Sequence, residues 1–199
     1  MSRSKIDICN LAILRMGGKQ LKHISSLEEN KEEARSCKIL YPHTIEIMLR
    51  QHPFNFAQKQ AVLALRRQEK DGSYSYIWPS EAIKIWKVTP IGDLYFSGEA
   101  IPHKVVNGGD GLKEIRCHFE QVQAFFSVMV ADPNQMDDLF QDALAWAMAA
   151  EMAHSVADDP KRMQFLQQQA KESFAIAQSA DANEQAFDVS LGAYVEARI

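Results

Sequence analysis

Apolar positions step by three and four along residues 132–181, in two successive runs. Met136, Leu139, Phe140, Ala143, Leu144, Ala147 and Met148 make the first stripe, and Met163, Leu166, Ala170, Phe174 and Ala177 the second. That stepping predicts helices with one buried face. Asp132-Pro133-Asn134 precedes the first run and Asp159-Pro160 the second. Proline is tolerated in a first turn, and Asp and Asn supply acceptors for its free amides. About five residues, 155–159, link the runs, which is short enough for antiparallel neighbours. The rest of the chain reads as packing on this hairpin.

Upstream, residues 4–16 predict a short helix, apolar on most sides (Ile6, Ile8, Leu11, Ile13, Leu14) and ended by Gly17-Gly18. A helix apolar nearly all round should be buried. Ser26 and Glu29 have capping-box spacing. From about residue 28 to 49 the stripe Ala34, Cys37, Tyr41, Ile45 and Met48 marks a second helix, with Pro42 inside it expected to kink it and His52-Pro53 ending it.

The period then changes. Residues 57–66 fit strand or helix equally. Residues 69–73 (Glu-Lys-Asp-Gly-Ser) predict a turn, and 74–130 hold most of the aromatic, β-branched and glycine residues, which predicts strands. Strands are expected at 83–88, 93–97, 104–106 and 124–130. At 114–120, Ile115, Cys117 and Phe119 alternate with Glu114, Arg116, His118 and Glu120. Beyond residue 182 the helical stripe is lost, yet Phe187, Val189, Leu191, Tyr194 and Val195 keep the tail apolar, so it is expected to dock on something. The pattern as a whole predicts an α+β fold: mainly a helical bundle of about four helices, with a small antiparallel β-sheet inserted between helices 2 and 3 and an extended C-terminal tail. The expected division is 1–56 (N-terminal helices), 57–131 (strand-rich insertion), 132–182 (hairpin completing the bundle) and 183–199 (docking tail).

Composition, 46% apolar and 24% charged, is that of a chain able to bury a core. Three cysteines without CxxC spacing read as buried, reduced thiols of a protein made in the cytoplasm. Residues 1–5 hold no apolar stretch of signal-peptide length, and no apolar run approaches a membrane span. Charge is uneven. Residues 1–70 carry 13 Lys and Arg against 7 Asp and Glu, net +6, and the remainder 9 against 19, net −10. The net −4 gives no reason to expect nucleic-acid binding.

No catalytic, cofactor or metal residues emerge. Glu151-x-x-His154 has di-iron helix spacing but lacks the second such pair and the two further glutamates. Cys117 and His118 are neighbours in a predicted strand and face opposite ways. The glycines at 108, 109 and 111 read as a hairpin turn, there being no GxxxxGK[ST], and GxSxG and HExxH are absent.

Several stretches in order carry a resemblance. Asn10-Leu11-Ala12 with Leu14-x-Met16-Gly17-Gly18 comes first, then Ser25-Ser26-Leu27-Glu28-Glu29 leading to Glu33-Ala34. Arg50-Gln51-His52-Pro53-Phe54-Asn55-Phe56-Ala57 and Tyr76-x-x-Pro79-Ser80-Glu81-Ala82 follow. Last come Asp132-Pro133 and Phe140-x-x-Ala143-Leu144-Ala145, running on to Ala150-Glu151-Met152-Ala153. Over about residues 6–182 this layout resembles the tail tubular protein A family, the head-to-tail adaptors of short-tailed bacteriophages and prophages. Phe54 stands where that family usually has Trp, and Glu81 where it has Asp.

The resemblance implies a virion protein, made in the host bacterial cytoplasm, whose copies form a ring, on the family pattern a dodecamer. The ring would sit under the portal protein, extend the DNA channel and join the tail nozzle protein. DNA would pass without sequence-specific binding, and no membrane, catalysis or cofactor is implied. The candidate subunit or portal interface is Trp146, which falls off the main apolar stripe, with Phe187, Leu191 and Tyr194 of the tail. A second intramolecular contact is the other reading of Trp146. The alternative function is a small helical ligand-binding domain or enzyme of unknown substrate.

Overall fold

The computed structural model describes residues 3–17, 23–92, 99–130, 132–156 and 160–196, with the side chains of all of these except 154–156 and 185–196. Among them are four α-helices and seven strands: α1 (Lys5–Met16), α2 (Glu32–Gln51), β1 (Gln58–Val62), β2 (Leu65–Gln68), β3 (Tyr74–Ile77), β4 (Ala82–Pro90), β5 (Lys104–Asn107), β6 (Lys113–Cys117), β7 (Val122–Val128), α3 (Asp138–Val156) and α4 (Pro160–Glu196). No helix of the described residues is long and apolar enough to cross a membrane.

The chain divides into two compact units. A helical unit comprises Met1–Met48, Phe54–Phe56 and Val130–Ile199; a sheet unit comprises Leu49–Pro53 and Ala57–Met129. About 48% of the fold is helix and 23% strand, and that strand share is what a mixed domain carries. The expectation of a mainly helical bundle with one small sheet is therefore wrong.

The sheet unit holds two antiparallel sheets. One has the order β1-β7-β4, the other β2-β3-β6-β5. Tyr76, Ile115 and Cys117 of the four-stranded sheet share one buried cluster with Val88, Ala124, Phe126 and Val128 of the three-stranded sheet. Two sheets that each need one apolar face covered thus cover each other. Strand β7 is central to its sheet and buried at every position. The stretch 57–66, undecided from its pattern, is β1 and β2, and β1 pairs with β7 in the register Gln58↔Ser127 to Val62↔Gln123. The strand expected at 93–97 lies outside the described residues. β6 ends at Cys117, so Phe119 is half exposed rather than on the core face.

In the helical unit, α1 starts at a capping box. Ser4 Oγ accepts the Asp7 N–H at 3.2 Å, and the Asp7 carboxylate accepts the Ser4 N–H at 2.7 Å. Leu14 is 64% exposed, so α1 is not buried all round. The Ser26/Glu29 pair makes only half of a box: Glu29 Oε1 accepts the Ser25 and Ser26 amides, while Ser26 Oγ accepts the Glu28 N–H at 3.1 Å, and these bonds close a turn. α2 begins only at Glu32 and continues through Pro42, whose ring lies on the exposed side. Likewise α3 starts at Asp138, after a 3₁₀ turn (Pro133–Gln135) capped by Asp132; Asp137 Oδ1 accepts the Leu139 N–H at 2.8 Å.

The extended C-terminal tail is the second correction. Its backbone is the end of α4, which runs unbroken from Pro160 to Glu196. Losing an apolar stripe does not end a helix when no proline interrupts it and Ala, Gln, Glu and Leu recur along it.

Candidate assembly surface

Trp146 sits where three helices meet. α3 places it one turn after Asp142, α1 contributes Arg15, and α4 contributes Phe165. Arg15 Nη1 donates to the Asp142 backbone oxygen at 2.7 Å and Nη2 to the Asp142 carboxylate. The guanidinium lies 4.3 Å from the Trp146 ring centroid, and Phe165 meets that ring edge-on at 6.3 Å. A guanidinium stacked on an indole contributes about 0.5–1 kcal/mol at a partly exposed site. Trp146 is half-buried, so the second intramolecular contact weighed for it exists. Beside it Phe165 remains 55% exposed. Arg162 Nε donates to the Met16 backbone oxygen at 2.6 Å, tying the start of α4 to the end of α1. The same guanidinium occupies the space a Cβ at Gly17 would need, and Gly17 has φ +62°.

The far end of α4 is anchored by Asp181. Its carboxylate accepts the Asn55 N–H at 2.8 Å, and its backbone oxygen accepts Asn55 Nδ2 at 3.2 Å. Beside this contact, Phe54 packs edge-on against Phe140 at 4.8 Å and Phe174 at 5.9 Å, and Phe56 meets Phe140 at 4.9 Å. The Phe54-Asn55-Phe56 stretch is thus the plug between α3 and α4. After Asp181, Ala182, Asn183 and Glu184 are all exposed. Three consecutive positions sweep about 200° of a helix, so no broad face is covered there. The backbone at Phe187, Leu191 and Tyr194 belongs to α4; their side chains lie outside the described residues.

α2 turns Cys37, Tyr41, Ile45 and Met48 inward and leaves Ile39 (70%) and Ile47 (41%) exposed. Hydrogen bonding with Cys37, then burial, holds the Cys9 thiol far above its usual range; the same hydrogen bond lowers Cys37, and burial raises Cys117.

The sheet unit offers charge but no open chemistry. On the face of its four-stranded sheet turned from the core, Glu114 is fully buried and accepts Arg66 Nη1 at 2.6 Å and both terminal nitrogens of Arg67 at 2.9 Å. Arg66 also binds Asp110 at 2.7 Å, and Glu69 accepts Ser75 Oγ at 2.7 Å, Arg67 Nε at 2.8 Å and Arg116 at 3.0 Å. The Arg66 hydrogen bond, then the Leu112 amide, pulls Asp110 down to about 2. Ser75 foremost, with Arg116 and Arg67, lowers Glu69. Acids saturated this way serve as struts rather than proton carriers. Among the described residues no group of three or more His, Cys, Asp or Glu is placed to hold a metal. Glu151 is exposed, and the side chain of His154 lies outside the described residues. No protein-family model and no curated protein matches this chain.

Proposed function

We propose that the chain is a structural head-to-tail adaptor of a short-tailed phage or prophage. Copies close into a ring beneath the portal protein, prolong the DNA channel and seat the tail nozzle. The observation that carries this reading is the mismatch within the hairpin. α4 has 37 residues and α3 has 19, about 55 Å against 28 Å. Beyond Asp181, residues 182–196 continue the helix for about 22 Å, and their first three positions are exposed. A helix prolonged this far past its partner and carrying Phe187, Leu191 and Tyr194 suits a chain that assembles with others. Among the exposed apolar residues of the helical unit are Phe165, which packs on Trp146, and Ile39 and Ile47 on α2. Two different patches on one subunit suit the heterologous contact from which rings are built. The order of motifs shared with the tail tubular protein A layout adds to this. As a test, sedimentation of the full chain with the portal protein of the same genome should give one fast boundary holding both; two unchanged boundaries would contradict the reading.

A further inference from the structure

Two helices of the helical unit bring a pair of thiols together. Cys9 lies on the buried side of α1 with Ile8, Ala12 and Ile13, and Cys37 on the buried stripe of α2 with Ala34 and Tyr41; both cysteines are fully buried. The two thiols are hydrogen-bonded to each other, and Cys37 Sγ lies 4.0 Å from Met152 Sδ of α3. One buried cysteine behaves as a small apolar residue. Two whose sulfurs already meet are the arrangement from which a disulfide closes. The third cysteine bonds differently: Cys117 Sγ, in the sheet unit, donates to the Phe119 backbone oxygen at 3.6 Å. We propose that Cys9 and Cys37 are a peroxide-sensitive pair, which hydrogen peroxide closes into a disulfide clasping α1 to α2.

The hydrogen bond between the thiols divides their roles. It is the first cause holding Cys9 far above the usual thiol range and the first cause lowering Cys37. Cys9 therefore keeps its proton, and Cys37 more readily becomes the thiolate, which is the nucleophile. Cys37 attacks one oxygen of the peroxide: an S–O bond forms, the O–O bond breaks, and the departing hydroxide takes up the proton that Cys37 gave up. Cys9 then attacks the sulfur of the Cys37 sulfenic acid. The S–S bond forms as the S–O bond breaks, and the leaving hydroxide carries off the Cys9 proton as a second water. Two thiols lose two electrons in all, and one peroxide gains them. Because both sulfurs are buried, the first step waits on local opening, which favours a small uncharged oxidant. The bond joins positions 9 and 37 and so restricts the unfolded chain. The pair does this chemistry whether or not the chain assembles.

The full chain is treated with excess hydrogen peroxide at neutral pH, unfolded in iodoacetamide to block the remaining thiols, and digested without reduction for mass spectrometry. The expected product is one cross-linked peptide pair that holds Cys9 and Cys37 and is two hydrogens lighter than their sum, with Cys117 carrying the block. The oxidised chain keeps its circular dichroism and melts about 5–10 °C higher, and dithiothreitol reverses the cross-link and the shift. Cys9→Ala leaves Cys37 as a sulfenic acid that dimedone traps, whereas Cys37→Ala leaves Cys9 unmodified. Should either variant unfold, the cross-link map of the unaltered chain decides alone. Cys9 and Cys37 both blocked, with or without Met152 oxidised to its sulfoxide, would overturn the proposal. So would a cross-link that takes in Cys117 or joins two chains, and dimedone on Cys9 rather than Cys37 would overturn the assigned roles.

Discussion

The Asp181 carboxylate accepts the backbone N–H of Asn55 at 2.8 Å across 126 residues of chain. It ties the later part of α4 to the Phe54-Asn55-Phe56 stretch. Asp181→Ala strands a largely buried amide and should cost about 1–3 kcal/mol in urea unfolding, while Asp181→Asn, which keeps an acceptor oxygen, should cost less.

Phe140 is fully buried and receives the edges of both Phe54 and Phe56. Phe140→Ala empties the middle of that plug and should destabilise the chain by about 3–5 kcal/mol, read from the midpoint of chemical denaturation.

Gly108 and Gly109 are neighbours with opposite tolerances. A Cβ on Gly108 would stand 2.4 Å from Glu114 Oε1, which two arginines hold in place, whereas one on Gly109 meets nothing within 4 Å. Gly108→Ala should lower the melting temperature by the equivalent of about 1–3 kcal/mol, and Gly109→Ala by much less. Equal effects would mean that Glu114 is free to move.

The Asp110–Arg66 pair makes stability acid-sensitive in a defined window. Asp110 titrates near 2 in the folded chain, below its ordinary 3.8. A depressed carboxyl contributes stability that is present above the unfolded value and lost as pH falls through the folded one, because between them the unfolded chain binds more protons. Stability should therefore decline from about pH 4 to pH 2, and Asp110→Asn should flatten that decline while converging with the unaltered chain near pH 2.

Much of this was legible in the chain. The stripe through Phe140, Ala143 and Leu144 and the one through Leu166, Phe174 and Ala177 locate α3 and α4, and the turn at 69–73 forms with Gly72 at φ +81°. What local pattern cannot express is which strand pairs with which. β1 joins β7 some sixty residues later, and only that pairing separates two sheets from one. The Ser26/Glu29 spacing starts no helix because Glu29 reaches back to the Ser25 and Ser26 amides within a turn. The tail lacks the apolar stripe of the preceding turns, although Phe187, Leu191 and Tyr194 still step by four and three within α4. Trp146 was picked out by its position off the stripe; Arg15, its partner 131 positions earlier, carried no local signal.

Negative-stain electron microscopy of the purified full chain, alone and with the portal protein of the same genome, tests the adaptor account most directly. The account predicts rings, or an added layer on the portal with the copy number visible in end-on views. Small single particles that leave the portal unchanged would contradict it.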